Sequence, residues 1–98
     1  MILEHALLFV TPGKEKEFEN DFKKALQYVI VCKGYIDLTL QRCVEQSNKY
    51  LLLVKWENLE DHTIGFRESE DYLKWKELLH PYYDGTPIVQ HFNTIIAL

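Results

Sequence analysis

Two stretches of this chain are apolar at odd and even positions alike. In residues 2–10, Ile2, Ala6, Leu8 and Val10 fall on one parity and Leu3, Leu7 and Phe9 on the other. In residues 50–56, leucines 51, 52 and 53 run straight into Val54 and Trp56. A β-strand sends successive side chains to opposite faces, so such strands must be covered on both sides. That requirement makes them central strands of a sheet with something packed above and below. At 98 residues the chain builds a single domain, 1–98, with one core. It has helices enough for only one of the two faces.

The remaining elements follow from periodicity and punctuation. Thr11, Pro12 and Gly13 interrupt the first strand, with Thr11 placed to cap a helix and Pro12 in its first turn. Phe18, Phe22, Ala25, Leu26, Val29 and Ile30 then recur at helical spacing, and Gly34 is the expected stop. Residues 35–44 alternate as a half-buried strand, with Ile36, Leu38, Leu40 and Val44 on the apolar side. Asn58 is placed to cap a short helix, and Ser69 caps a second one that ends at Pro81. Residues 88–97 form the last strand. The order strand, helix, strand, strand, helical pair, strand predicts an α+β, ferredoxin-like (βαββαβ) antiparallel sheet with helices on one face. The uncovered face predicts a homodimer in which two sheets pack together, each buried Leu or Val contributing roughly 1.5–3 kcal/mol.

Charge and composition remove several functions. A net charge of −4, with Lys14, Lys16, Lys23 and Lys24 interleaved among glutamates, argues against nucleic acid. The third strand also lacks the aromatic pattern of RNA-recognition sheets that share this element order. No apolar run reaches the ~20 residues of a membrane span. Met1 leads into Ile2, Leu3 and Glu4 without a basic, cleavable leader, so the expected location is cytoplasmic. Cys32 and Cys43 lack C-x-x-C spacing and read as two buried thiols.

The residues with chemical potential cluster in the second half. Leu59, His62 and Phe66 share one helix face at i, i+3, i+7, and Tyr72, Trp75 and Leu79 repeat that spacing on the next helix. Turned toward the sheet, they would line an apolar cleft holding one imidazole and one phenol, the usual character of a small-molecule site. Phe66 and Trp75 serve equally as core. His5 and His91 sit on strands that neighbour each other in this topology, where their imidazoles could meet. Arg42 and Arg67 each offer a planar donor fork for an anionic oxygen, or for one of the chain's own carboxylates. No H-x-x-x-H or H-E-x-x-H spacing points to a metal, and no motif points to NAD, FAD or ATP. No cofactor is expected.

The segment from Leu51 through Trp56, His62 and Phe66 to Ser69, Tyr72 and Trp75 resembles the central motif of the antibiotic biosynthesis monooxygenase family. Thr11-Pro12-Gly13-Lys14 ahead of Phe18, the Gly34-Tyr35 pair, and Pro87-Ile88-Val89 extend the resemblance to residues 2–92. It implies a dimeric α+β barrel. The haem-degrading branch of that family uses an Asn, a Trp and a His where this chain aligns Ala6, Phe66 and Lys76, which disfavours haem. The resemblance therefore implies cofactor-independent oxidation of an electron-rich aromatic, quinol-, phenol- or anthrone-like, by O2. His62 would be base or proton relay, Tyr72 a hydrogen-bond donor, and Phe66 and Trp75 stacking walls. Arg67, His5 and His91 are further substrate-binding candidates. A non-catalytic small-molecule binding or sensing dimer of the same fold is the alternative, since fold does not fix function.

Overall fold

The computed structural model describes residues 1–98. Four strands, β1 (Ile2–Phe9), β2 (Tyr35–Arg42), β3 (Lys49–Trp56) and β4 (Ile88–Phe92), form one sheet in the order β2-β3-β1-β4. Every neighbouring pair is antiparallel. The doubly apolar strands β1 and β3 are the central pair, as their patterning requires. Helices α1 (Glu15–Val29) and α2 (Glu70–Leu79) pack on one face only. This is the ferredoxin-like α+β arrangement.

Parity divides the two sheet faces cleanly. Ala6, Leu8, Tyr50, Leu52, Val54 and Trp56 are buried beneath the helices, where they meet Phe18, Phe22, Ala25 and Val29 of α1 and Trp75 and Leu79 of α2. Leu3, Leu7, Phe9, Leu51 and Leu53 point the other way and remain half-buried, flanked by exposed Ile88 and Phe92. The core is ringed by satisfied phenols: the hydroxyls of Tyr50 and Tyr82 donate to Glu19 and Asp21, each at 2.6 Å. Arg42 meets Glu19 at 3.2 Å, so its fork is used within the protein.

Several local expectations need correction. Thr11 does not cap α1. Gly13 sits at φ +90°, breaking the chain before Lys14, and the Thr11 hydroxyl donates instead to the carbonyl of Tyr82. Helix α1 stops at Val29, well short of Gly34. Gly34 serves a different need: at φ +84° its missing Cβ leaves room for the Asp61 side chain. A β-bulge between Tyr35 and Asp37 turns Tyr35 toward Trp56 and leaves Ile36 exposed. β2 ends at Arg42 and β4 at Phe92, each before the apolar pattern runs out. Cys32 and Cys43 are free thiols, half-buried rather than buried.

Candidate active site

The sequence between β3 and α2 determines the cleft. After Trp56 the chain turns through Asn58, whose backbone N–H is accepted by the Asp61 carboxylate at 3.1 Å. The expected Asn58 cap is thus reversed, with the acid reaching back as in half of a capping box. Residues Asp61–Phe66 then wind more widely than an α-helix. The Arg67 N–H reaches the carbonyl of His62 at 3.1 Å, a five-residue step. This wider turn brings His62 and Phe66 onto one side with ring centroids 6.4 Å apart, while Leu59 stays outside the cleft lining and partly exposed. Ser69 caps α2 as expected, its hydroxyl oxygen accepting from the Tyr72 N–H at 3.1 Å.

His62, Phe66, Arg67, Tyr72 and Trp75 line one cleft of about 190 Å³ between the sheet and these elements. Phe66 and Trp75 meet edge to face at 5.7 Å, and Tyr72 meets Phe66 the same way at 5.3 Å. The sheet supplies Ala6, Leu8, Leu52, Val54 and Val89 as the floor. His80 and Tyr83, from the short turn after α2, close one side. Burial, with the Tyr72 and Glu4 side chains nearby, raises the Tyr83 phenol above its ordinary range.

The structure separates His5 from His91. In the β1–β4 register His5 faces Gln90, while His91 faces Glu4. His5 therefore projects from the open face, edge-on to Phe92 at 5.4 Å, and cannot contribute to this cleft. The two strands are adjacent, as their order predicts, but the parity of the pairing sends the two imidazoles to opposite sides. His91 instead meets His62: its Nε2 lies 2.8 Å from His62 Nδ1. It stands behind His62, half-buried and outside the cleft lining.

The residue that sequence reasoning missed is Glu4. It is only 6% exposed, on the helix-covered face of β1 between Ile2 and Ala6. Its Oε1 accepts from Trp56 Nε1 at 3.0 Å and lies 3.3 Å from His62 Nε2. Trp56 and His62 stack nearly parallel, 20° apart at 5.4 Å, so indole and imidazole are packed together against one carboxyl. Burial pushes Glu4 up to about 7, although the Trp56 hydrogen bond and the Arg67 guanidinium oppose it. Burial also lowers His62 to about 3, helped by the positive charge of Arg67 and by His91. An ordinary imidazole titrates near ~6.5, so burial takes His62 far from the range in which it would carry a charge at neutral pH. His62 is neutral, so its 3.3 Å approach to Glu4 is a contact between a neutral ring and a carboxyl group and not an ion pair. No three His, Cys, Asp or Glu side chains converge in a way that would hold a metal ion.

Comparison with known proteins agrees with this architecture. Residues 1–78 match the family model for antibiotic biosynthesis monooxygenase. The uncharacterized protein YczJ of Bacillus subtilis is 48% identical over 95 residues, covering 97% of this chain and all of that protein. A crystal structure of a candidate antibiotic biosynthesis monooxygenase from Bordetella bronchiseptica superposes with a TM-score of 0.93 at 30% identity, covering 97% of each chain. SnoaB, a cofactor-independent oxygenase from Streptomyces nogalater, shares the fold with a TM-score of 0.80 at 20% identity, over 99% of this chain and 96% of that one.

Proposed function

The chain belongs to the antibiotic biosynthesis monooxygenase family, and from that premise and the cleft chemistry we propose that it is a cofactor-independent monooxygenase of electron-rich aromatic molecules. The observation that carries the reading is a buried carboxyl–imidazole pair, Glu4 and His62, opening into a cleft walled by Phe66, Tyr72 and Trp75. An apolar cavity of about 150 Å³ takes a single benzene ring. At about 190 Å³ this cleft favours a one-ring or compact two-ring quinol or phenol over an anthrone.

The chemistry asks little of the protein beyond binding and proton handling. Removal of a proton from a hydroquinone gives an anion that passes an electron to O2 directly. In the complete reaction hydroquinone and O2 give a hydroxyquinone and water. One oxygen atom enters the ring, the other leaves as water, and the substrate supplies all four electrons. Apolar walls hold the ring and exclude water, the Glu4–His62 pair handles the proton, and the Tyr72 hydroxyl and Arg67 stabilise the oxyanion. No metal or organic cofactor enters this scheme.

The working form is a homodimer. The open sheet face carries Leu3, Leu7, Phe9, Leu51, Leu53, Ile88 and Phe92 with nothing from this chain above them. A second copy laid across it removes that apolar surface from water at roughly 25 cal/mol per Å². No helix of the chain is long and apolar enough to cross a membrane.

The test is oxygen uptake by chelator-treated protein against hydroquinones, naphthohydroquinones and anthrones, corrected for autoxidation. Saturable uptake is expected for the smaller rings and should fall about 100-fold or more in His62→Ala. Absence of uptake across the panel, with an aromatic ligand still bound tightly, would replace the enzyme by a binding or sensing dimer. Full turnover in both His62→Ala and Tyr72→Phe would overturn the site assignment.

A further inference from the structure

Glu4, His62 and His91 are joined by two successive side-chain contacts. Glu4 is in the cleft wall, His62 bridges, and His91 stands half-exposed behind it. The contacts are Glu4 Oε1 to His62 Nε2 at 3.3 Å and His62 Nδ1 to His91 Nε2 at 2.8 Å. Both imidazoles are thus engaged through nitrogens that face each other or the carboxyl, so the tautomer of one sets that of the next. We propose that Glu4 is the base that takes the substrate proton, and that His62 and His91 form a two-imidazole wire that carries this proton out of the cleft to solvent. The identity of the proton's source rests on the oxygenase reading; the wire rests on the geometry alone.

Only two proton arrangements satisfy both contacts with neutral rings. With Glu4 ionised, His62 Nε2–H donates to the carboxylate, and His62 Nδ1 accepts from His91 Nε2–H. With Glu4 protonated, its hydroxyl donates to His62 Nε2, His62 Nδ1–H donates to His91 Nε2, and the His91 proton sits on Nδ1. Conversion of the second into the first moves three protons. Glu4 gives one to His62, His62 gives one to His91, and His91 releases one from Nδ1 to water. The three transfers occur together, so no imidazolium forms and no electron moves; the carboxylate is restored at the expense of one proton delivered outside, and both rings return to their starting tautomers before the next proton passes.

The surroundings suit this division of labour. His62, lowered to about 3 by burial and by Arg67, is too weak a base to keep the proton, yet neutral imidazole remains a competent conductor. Burial and Arg67 lower His91 as well. Glu4, at about 7, both accepts and releases near neutral pH. The titratable or charged groups facing it are His62 and Arg67 from the wide turn, His91 from β4, and Tyr83 after α2, with the Trp56 N–H from β3. Tyr72 and His80 complete the titratable lining of the cleft.

Nitrogen-15 NMR of histidine-labelled protein reads the tautomers without any substrate. As pH rises through about 7, His62 is expected to change from the Nδ1–H to the Nε2–H form, with His91 changing in concert. In Glu4→Gln the crossover should vanish. One tautomer retained throughout by either ring, or an imidazolium signal from His62 in this range, would overturn the wire. In turnover, His91→Ala should slow kcat about tenfold with little change in KM, and added imidazole should restore it. Failure of imidazole to restore the rate would remove His91 from the route. A concerted crossover in a protein that oxidises no aromatic would sink the oxygenase reading and leave the wire standing. Oxygen uptake without the crossover would do the reverse.

Discussion

Replacement of Glu4 by glutamine should make this protein more stable and less active, and the size of the first effect follows from the site. Glutamine keeps the shape and the Oε1 acceptor, which can take both the Trp56 Nε1–H and, across the same 3.3 Å contact, the His62 Nε2–H. What it removes is ionisation. Glu4 titrates at about 7 when folded against an ordinary value of 4.5, a gap of about 2.5 pKa units. At 1.36 kcal/mol per unit, folding with an ionised Glu4 costs about 3 kcal/mol relative to folding with it protonated. The folded state holds the proton more tightly, so this stability is fully present below about pH 4.5 and is lost as pH rises through about 7. Wild type and Glu4→Gln should therefore be nearly equal near pH 4.5. They should differ by about 3 kcal/mol above pH 7, equivalent to about 10 °C or more in Tm for a domain of this size. His62 adds its own pH dependence, but in the opposite direction and equally to both proteins, so it cancels in the difference. Urea or thermal unfolding at matched protomer concentration measures this directly. A gap that does not widen with pH, or a Glu4→Gln variant less stable than wild type at pH 8, would refute the assignment of a buried, high-pKa carboxyl.

Two further substitutions test the scaffold. Gly34→Ala places a Cβ against the Asp61 carboxylate at a backbone angle of φ +84°, so a loss of about 2 kcal/mol or more is expected in urea unfolding; an unchanged midpoint would show that the approach is slack. Leu53→Lys puts a charge in the middle of the open sheet face without touching the cleft, and should yield a monomer by sedimentation equilibrium. A variant that sediments as wild type does would place the contact between copies elsewhere.

Most of the fold was legible because it rests on local rules. The double apolar parity of residues 2–10 and 50–56 identified the central strands, and Ser69 and Pro81 marked the limits of α2. His62, Phe66, Tyr72 and Trp75 could be gathered into one cleft because helical spacing carries that information. Glu4 could have been found from the same parity, since it alone is charged among Ile2, Ala6, Leu8 and Val10. A carboxyl on a core-facing position is the strongest sign of chemistry that a strand can carry. The mutual position of His5 and His91 was beyond reach, because it depends on a one-residue choice of register between distant strands. The wide turn at Asp61–Phe66 was equally hidden, as nothing in its composition separates five-residue from four-residue winding. Periodicity placed Leu59 on the cleft face for the same reason.

The parity that divides β1 also constrains how such a chain can change over time. Neighbouring residues of β1 and β3 answer to different demands: Glu4, Ala6 and Leu8 to the cleft side, and Leu3, Leu7 and Phe9 to the open side. Substitutions at one set can be accepted without disturbing the other, so affinity for a small molecule and affinity for a second copy are free to drift separately. Insertion or deletion of one residue in β1 has no such latitude. It would exchange the two sets at once, carrying the carboxyl to the outside and leucines into the cleft. Length in these strands should be frozen while their composition wanders, and novelty in substrate choice should arise from the turns at 58–69 and 80–87, where an added residue moves a wall and leaves the parity alone.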